Sequence, residues 1–208
     1  MINRCSAASC AALALLVSHT AAAAQGEVTG AIRNGGQGLE GAAVYLLPEG
    51  GVGEPLPRQP VTIDQVHLKF VPDVVVVVPG TSVSFLNSDG VLHNVFGPGQ
   101  AGQGAFDLGT YDRNDWRERI FRDAGLHVVL CHIHPEMAAY VIVTPTPYTA
   151  TTGPSGRFTI ADVPPGRYRL VAWHPRHWRS DVSVPVEVGD NGLNDVAVTL
   201  GRTRGPAR

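Results

Sequence analysis

The segment Cys131-His132-Ile133-His134-Pro135-Glu136-Met137 gathers a thiol, an imidazole and a thioether at the spacing C-x2-H-x2-M. Soft sulfur donors combined with imidazole suit copper in both of its oxidation states. A type 1 copper site uses two imidazoles and a thiolate in a trigonal plane, with a weak axial thioether. One short loop leaving a strand can aim Cys131, His134 and Met137 at a single point. The second imidazole must then come from elsewhere in the fold. His93, in Leu92-His93-Asn94-Val95, is the candidate, because it stands at a strand end after the turn Asn87-Ser88-Asp89-Gly90. Singly, these residue types are ordinary: a buried Cys behaves as a small hydrophobe and a buried Met fills gaps. Their coincidence is what points to a metal.

The cysteine and methionine counts sharpen that coincidence. The chain has three Cys and two Met. Residues 1–24 read as a signal peptide, with Arg4 as its positive charge, Ala7 to Val17 as a short apolar stretch and Ala22-Ala23-Ala24 as the cleavage site before Gln25. Export to the periplasm is therefore expected. Cys5, Cys10 and Met1 would leave with the leader, so the mature chain keeps Cys131 as its one thiol and Met137 as its one thioether. A lone thiol closes no internal disulfide, and in an oxidising compartment it is either reactive or occupied. Metal ligation is the simplest occupation.

The elements that must position these residues are strands. Beyond residue 25 no segment of useful length has a helical period. Short runs rich in Val, Ile, Thr, Phe and Tyr alternate with Gly, Pro, Asn and Asp. The totals of 24 Gly and 16 Pro suit a turn-rich chain. Val28–Ile32 and Ala42–Leu47 read as the first strands, followed by a Pro/Gly-rich linker from Gly50 to Pro60. Val74–Val78, Thr81–Leu86, Val91–Phe96, Leu126–Leu130 and Tyr140–Val143 form a central block, with Trp116–Arg122 as a charged strand solvated on one face. After Pro145 and Pro147, Arg157–Ile160, Tyr168–Ala172, Val182–Val188 and Asp195–Leu200 complete the set. Strands at this spacing predict an all-β fold of sandwich type. The net charge of −2 gives no reason to expect nucleic acid or an anionic membrane as partner.

His93-Asn94-Val95 followed by Cys131-x-x-His134-Pro135-x-Met137 resembles the cupredoxins, the small blue copper proteins, and the short ligand loop is similar to that of amicyanin. The wider stretch from 27 to 174 resembles bacterial periplasmic plastocyanin-like and methylamine utilization proteins. Matching pieces include Phe70-Val71-Pro72, Gly80-Thr81-Ser82-Val83-Ser84-Phe85 and Phe106-Asp107-Leu108-Gly109. The resemblance implies a Greek-key β-sandwich over residues 61–144 holding one type 1 copper through His93, Cys131, His134 and Met137. It implies for Asn94 a role in bracing the loop and tuning the sulfur. His132 departs from the pattern, either as a solvent-exposed ring or as an auxiliary metal contact. Gly41-Ala42-Ala43-Val44-Tyr45-Leu46 and Gly156-Arg157-Phe158-Thr159-Ile160 resemble carboxypeptidase regulatory-like domains, which have a transthyretin-like sandwich.

Residues 25–60 and 145–202 are each too short for a stable sandwich. The expectation is a discontinuous second domain built from both, with the cupredoxin inserted in it; the alternative is a lone C-terminal domain adjacent to it. Residues 203–208 are expected to be a disordered tail. His174 and His177 form an H-x2-H pattern, read as part of an aromatic-rich loop or as an auxiliary metal patch. His67 and His127 read as structural or surface residues. No His-x-His pair other than His132/His134 exists for a trinuclear copper cluster, so electron transfer to a transient protein partner outranks oxidase or other enzymatic chemistry. Copper sequestration or delivery is the second reading, and a structural or adhesion module with incidental metal the third. Gly97, Pro98, Ala138 and Ala139 are the expected apolar rim for a partner.

Overall fold

The computed structural model describes residues 25–51, 59–99, 103–177 and 181–201. The expected signal peptide, most of the Pro/Gly-rich linker, Trp178 and the expected tail lie outside the described residues. The first block holds β1 (Gly26–Asn34), β2 (Gln37–Gly38) and β3 (Ala43–Pro48). The central block holds β4 (Val61–Gln65), β5 (Phe70–Val71), β6 (Val74–Val77), β7 (Thr81–Asn87), β8 (His93–Gly97), β9 (Phe106–Tyr111), β10 (Trp116–Phe121), β11 (Gly125–Leu130) and β12 (Ala138–Val143). The last block holds β13 (Thr149–Thr151), β14 (Arg157–Val163), β15 (Gly166–Trp173), β16 (Val182–Val188) and β17 (Leu193–Thr199), with a 3-10 turn at Pro175–His177. Among the described residues the fold is all-β apart from that turn, as the sequence pattern predicts.

The central block forms two facing sheets, ordered β10-β7-β4-β5 and β6-β12-β11-β8-β9. β4/β5, β8/β9 and β11/β12 are hairpins within one sheet, the chain crosses between the sheets elsewhere, and β4 with β7 and β6 with β12 pair in parallel. Parallel neighbours cannot be joined by tight hairpins, so the chain crosses over the ends of the sandwich as Greek-key connections do. The two-residue side-chain period decides what is buried. Along β7, Thr81, Val83, Phe85 and Asn87 are buried, while Ser82, Ser84 and Leu86 lie nearer the surface. Ile63, Val83, Phe85 and Phe121 from one sheet meet Val75, Val95, Val129 and Val141 from the other, and Cys131 and Met137 belong to the same core.

β10 is solvated on one face, as expected, but its arginines are not on that face. Trp116, Glu118 and Ile120 are exposed, and Arg117 and Arg119 are half-buried. The Arg117 guanidinium lies 4.8 Å from the Tyr111 ring centroid and that of Arg119 lies 4.1 Å from Phe106. A guanidinium over a ring face keeps electrostatic compensation while its stem covers apolar surface.

The second sandwich takes strands from both ends of the chain. One sheet is β14-β1-β17 with β2 folded onto β1, and the other is β13-β3-β15-β16. β1 and β3 are thus interior strands whose neighbours on both sides come from residues beyond 148. Gly30 shows how closely β1 is enclosed: a Cβ there would collide with the Val196 carbonyl and the Phe158 ring. Val28, Ile32, Val44, Leu46, Phe158, Ile160 and Leu170 form the core.

A third apolar cluster joins the two sandwiches. Ala43, Tyr45 and Trp173 pack on Val74, Val76, Ile142 and Tyr140, with the Tyr140 and Trp173 rings edge to face at 5.2 Å. His174 caps this seam. The Arg176 amide donates to its Nδ1 (3.0 Å), which leaves Nε2 carrying the proton it donates to the Glu40 carbonyl (3.0 Å). His174 is therefore held as a neutral ring with both nitrogens used, and the auxiliary-metal reading of H-x2-H loses one of its two ligands. His127 is buried, bonded to the Asp123 carbonyl, whereas His67 is exposed.

Burial lowers the His174 pKa from its ordinary 6.5, helped by Arg176 and His177 and opposed by the Glu40 carbonyl and Asp73. The unfolded chain then takes up this proton first as pH falls. The stabilisation is complete above about 6.5 and is lost as pH descends from there through the lowered folded value. Thermal melts between pH 7.5 and 5.5 are expected to show a falling Tm, and His174→Gln, which can make both hydrogen bonds without titrating, should flatten that slope. An unchanged slope in the variant would remove His174 as its source.

Candidate metal centre

Asn87 ends β7 fully buried, and its side chain shapes the loop that follows. Its Nδ2 donates to the Val91 and Tyr111 carbonyls (2.9 and 3.3 Å), and its Oδ1 accepts from the Asp89 amide (3.0 Å). These bonds hold residues 88–92 out of the sheet. β8 therefore begins at His93 rather than at Val91, and Val91 and Leu92 are left 45% and 49% exposed.

The other half of the site is the loop between β11 and β12. These strands pair antiparallel with Leu130 opposite Ala138, so Cys131 to Met137 close the hairpin. The Met137 amide donates to the His134 carbonyl (3.0 Å), which tightens the loop. β11 also pairs with β8, Leu130 opposite Phe96. That register brings the Cys131 sulfur to the Asn94 amide, which donates to it at 3.5 Å.

The structure brings His93, Cys131 and His134 together, with one donor atom of each lying within 4.8 Å of the others. The two Nδ1 atoms are 3.1 Å apart and the rings meet at 64°. His93, Cys131 and Met137 are buried, and His134 is half-buried. Met137 shares the core cluster that contains Cys131. His132 does not join the group. Its ring stacks on Phe96 at 3.6 Å and its Nε2 lies 3.7 Å from Asp107 Oδ2 at the exposed surface.

Asn94 ties these parts together. Its Nδ2 donates to Asp107 Oδ1 (2.7 Å) and its Oδ1 accepts from the His132 amide (3.4 Å). The hydrogen bonds from the Gly109 amide and from Asn94 hold the Asp107 carboxyl below its usual range, against the opposing influence of burial.

Sequence reading missed Asp89. Its Oδ2 lies 2.9 Å from His93 Nε2, and its carboxylate also accepts from the His67 and Leu68 amides. Burial works to raise the Asp89 pKa, but the bonds from Leu68, His93 and His67 prevail and lower it. The ionised carboxylate can accept a hydrogen bond from Nε2 of His93 in the tautomer that keeps the proton there, which leaves Nδ1 its lone pair. A ligating histidine commonly gives its other N–H to a carboxylate, so an acid one turn before His93 was a signal available in the sequence.

The donor set fits copper. It joins a soft thiolate to imidazole, the combination copper prefers. Two imidazole nitrogens each about 2.0–2.1 Å from one ion stand roughly 3 Å apart, as the Nδ1 atoms of His93 and His134 do.

Comparison with known proteins bears on both halves of the chain. The carboxypeptidase regulatory-like domain family model matches residues 135–201, a span that begins inside the ligand loop and takes in β12 to β17. No curated protein matches. Amicyanin from Paracoccus versutus is 21% identical over 48% of this chain and 98% of its own, with a TM-score of 0.39. A copper-containing nitrite reductase from Thermus scotoductus is 27% identical over 46% of this chain and 24% of its own, with a TM-score of 0.40. A purple cupredoxin from Nitrosopumilus maritimus is 22% identical over 42% of this chain and all of its own, with a TM-score of 0.36.

Asn94→Ala would free the His132 amide and one oxygen of Asp107 while leaving the backbone bond to sulfur intact. Urea unfolding of the metal-free protein is expected to show a loss of about 1 kcal/mol. A variant as stable as the parent would show that the side chain of Asn94 does not brace the loop.

Proposed function

We propose that the protein is an exported, periplasmic one-electron carrier that holds one type 1 copper through His93, Cys131, His134 and Met137. The observation that carries this reading is the convergence of the Cys131 sulfur with two imidazole nitrogens 3.1 Å apart, in a pocket where His134 alone of the four residues reaches the surface. Copper bound there would supply a one-electron couple between its two oxidation states.

The work of the chain's own residues is to hold a fixed donor set and keep water from it. His93 is locked by its bond to Asp89. Cys131 is held by the Asn94 amide and surrounded by Val95, Val129 and Met137. A site with little room to rearrange eases transfer, because neither oxidation state is met by a large structural change. Four protein donors leave no open position for a substrate, unlike catalytic metal sites, so the reading gives the chain no reaction of its own.

A redox partner would approach over His134. Val91, Leu92, Ile133 and Pro135 surround the histidines in the chain and are exposed. Of the rim expected from sequence, Pro98 is exposed and Ala138 half-buried, but Gly97 and Ala139 are buried and cannot form it. An apolar rim with Glu136 as the exposed charge of the ligand loop suits a brief encounter of small area, below about 1,200 Å² in total. Export rests on the N-terminal leader pattern; among the described residues no helix is long and apolar enough to cross a membrane.

Loading with copper is expected to give an intense thiolate-to-copper absorption and a reversible one-electron couple. Cys131→Ser should abolish the absorption and leave the sandwich folded by circular dichroism. A coloured Cys131→Ser protein, or copper that a mild chelator strips at once, would overturn the carrier reading and turn attention to copper storage or delivery. The rim is tested separately. Ile133→Lys should slow electron self-exchange between copper-loaded copies at least about tenfold, by opposing like charges across the contact, while leaving the spectrum unchanged. An unaltered rate would remove Ile133 from the docking surface.

A further inference from the structure

The tight turn joining β4 to β5 has two non-glycine residues in the left-handed region, His67 at φ 53° and Leu68 at φ 57°. Val66 and Lys69 exchange both backbone hydrogen bonds across it, at 2.9 and 3.1 Å. Two-residue hairpin turns of this kind strongly favour Asn-Gly or Gly-Gly, because each side chain in the left-handed region costs about 1–2 kcal/mol. Something must offset that cost here. The amides of His67 and Leu68 both donate to the Asp89 carboxylate, at 2.6 Å to Oδ1 and 2.9 Å to Oδ2. Charge-assisted bonds of this sort are roughly twice as strong as neutral ones.

The same carboxylate faces His93, whose ring is fully buried, with Oδ2 2.9 Å from Nε2. Asp89 is fixed from behind as well, since its own amide donates to buried Asn87. Two amides thus hold the carboxylate, and a third bond holds its backbone, before it meets the ring.

We propose that Asp89 is the positioning residue of the metal centre: anchored by the left-handed His67–Leu68 turn, it fixes His93 as the Nε2–H tautomer and so keeps Nδ1 free to bind metal. The strained turn is then part of the site, although it contributes no ligand. The consequence for copper rests on the reading of the centre given above; the tautomer itself belongs to the metal-free protein.

The experiment must separate positioning of the ring from support of the turn. In the double variant His67→Gly, Leu68→Gly the turn keeps its amides and loses its side-chain strain, so it no longer needs the carboxylate to offset that strain. Asp89→Ala is made in that background and in the natural sequence. In the natural sequence it should lower both Tm and copper(II) affinity. In the glycine background it should lower Tm much less, yet still weaken copper(II) binding by about ten- to a hundredfold. Nitrogen-15 spectra of the metal-free proteins should show His93 as one Nε2–H tautomer with Asp89 present and as a mixture without it.

If the glycine background restores copper affinity together with stability, Asp89 merely supports the turn and the proposal fails. It fails also if the His93 tautomer is the same in the presence and absence of Asp89. Should the parent protein bind no copper while the tautomer responds to Asp89 as described, the functional reading falls and the positioning role stands.

Discussion

Polar groups concentrated inside an apolar core are tolerable only when each has a partner, and this constraint organises the centre. A thiol and two imidazoles within 4.8 Å of one another, one ring sealed from water, would each cost roughly 1–3 kcal/mol if left unsatisfied. The chain meets the cost in a sequence of bonds. The Asn94 amide serves the sulfur, Asp89 serves the far side of His93, and the near side of each imidazole is turned toward the other. A proton kept on Nε2 of His93 for the bond to the carboxylate leaves Nδ1 as an acceptor.

Such an arrangement needs two sheets already in register. Pairing of β8 with β11 sets Cys131 beside Asn94, and pairing of β11 with β12 folds His134 and Met137 back over the same point. A slip of one residue would turn Cys131 outward, because side chains alternate faces along a strand. The register is protected by the apolar residues on either side, Val95, Val129, Ala139 and Val141, all fully buried. Packing in the sandwich and geometry at the centre are thus one problem, solved by the same strands.

The second sandwich bears on the first without entering its chemistry. It lies against the outer face of β6, β11 and β12 through Tyr45, Trp173 and their neighbours, and leaves Val91, Leu92 and Ile133 exposed. Apart from the short β2, its interior strands β1 and β3 obtain their partners from residues far along the chain. The central block thus lies in sequence between the two parts of the second sandwich.

How much of this was legible follows from distance along the chain. Local pattern was enough for the all-β class, because a two-residue apolar period and Gly/Pro turns are written in neighbouring residues. It was enough to pick out Cys131, His134 and Met137, since one loop holds all three, and to nominate His93 by residue type. Local pattern misjudged Val91 and Leu92 as strand, because Asn87 captures the Val91 carbonyl and no propensity scale contains that bond. It misjudged Gly97 and Ala139 as surface for a like reason, since burial depends on the opposite sheet. Asp89 went unrecognised because its carboxylate acts through amides from another turn and a ring four residues away, a meeting made only when β4, β5 and β8 are assembled. Residue types and short spacings determined which atoms could bind a soft metal; the folded chain alone decided which of their protons would be removed, because that depends on partners brought from distant segments.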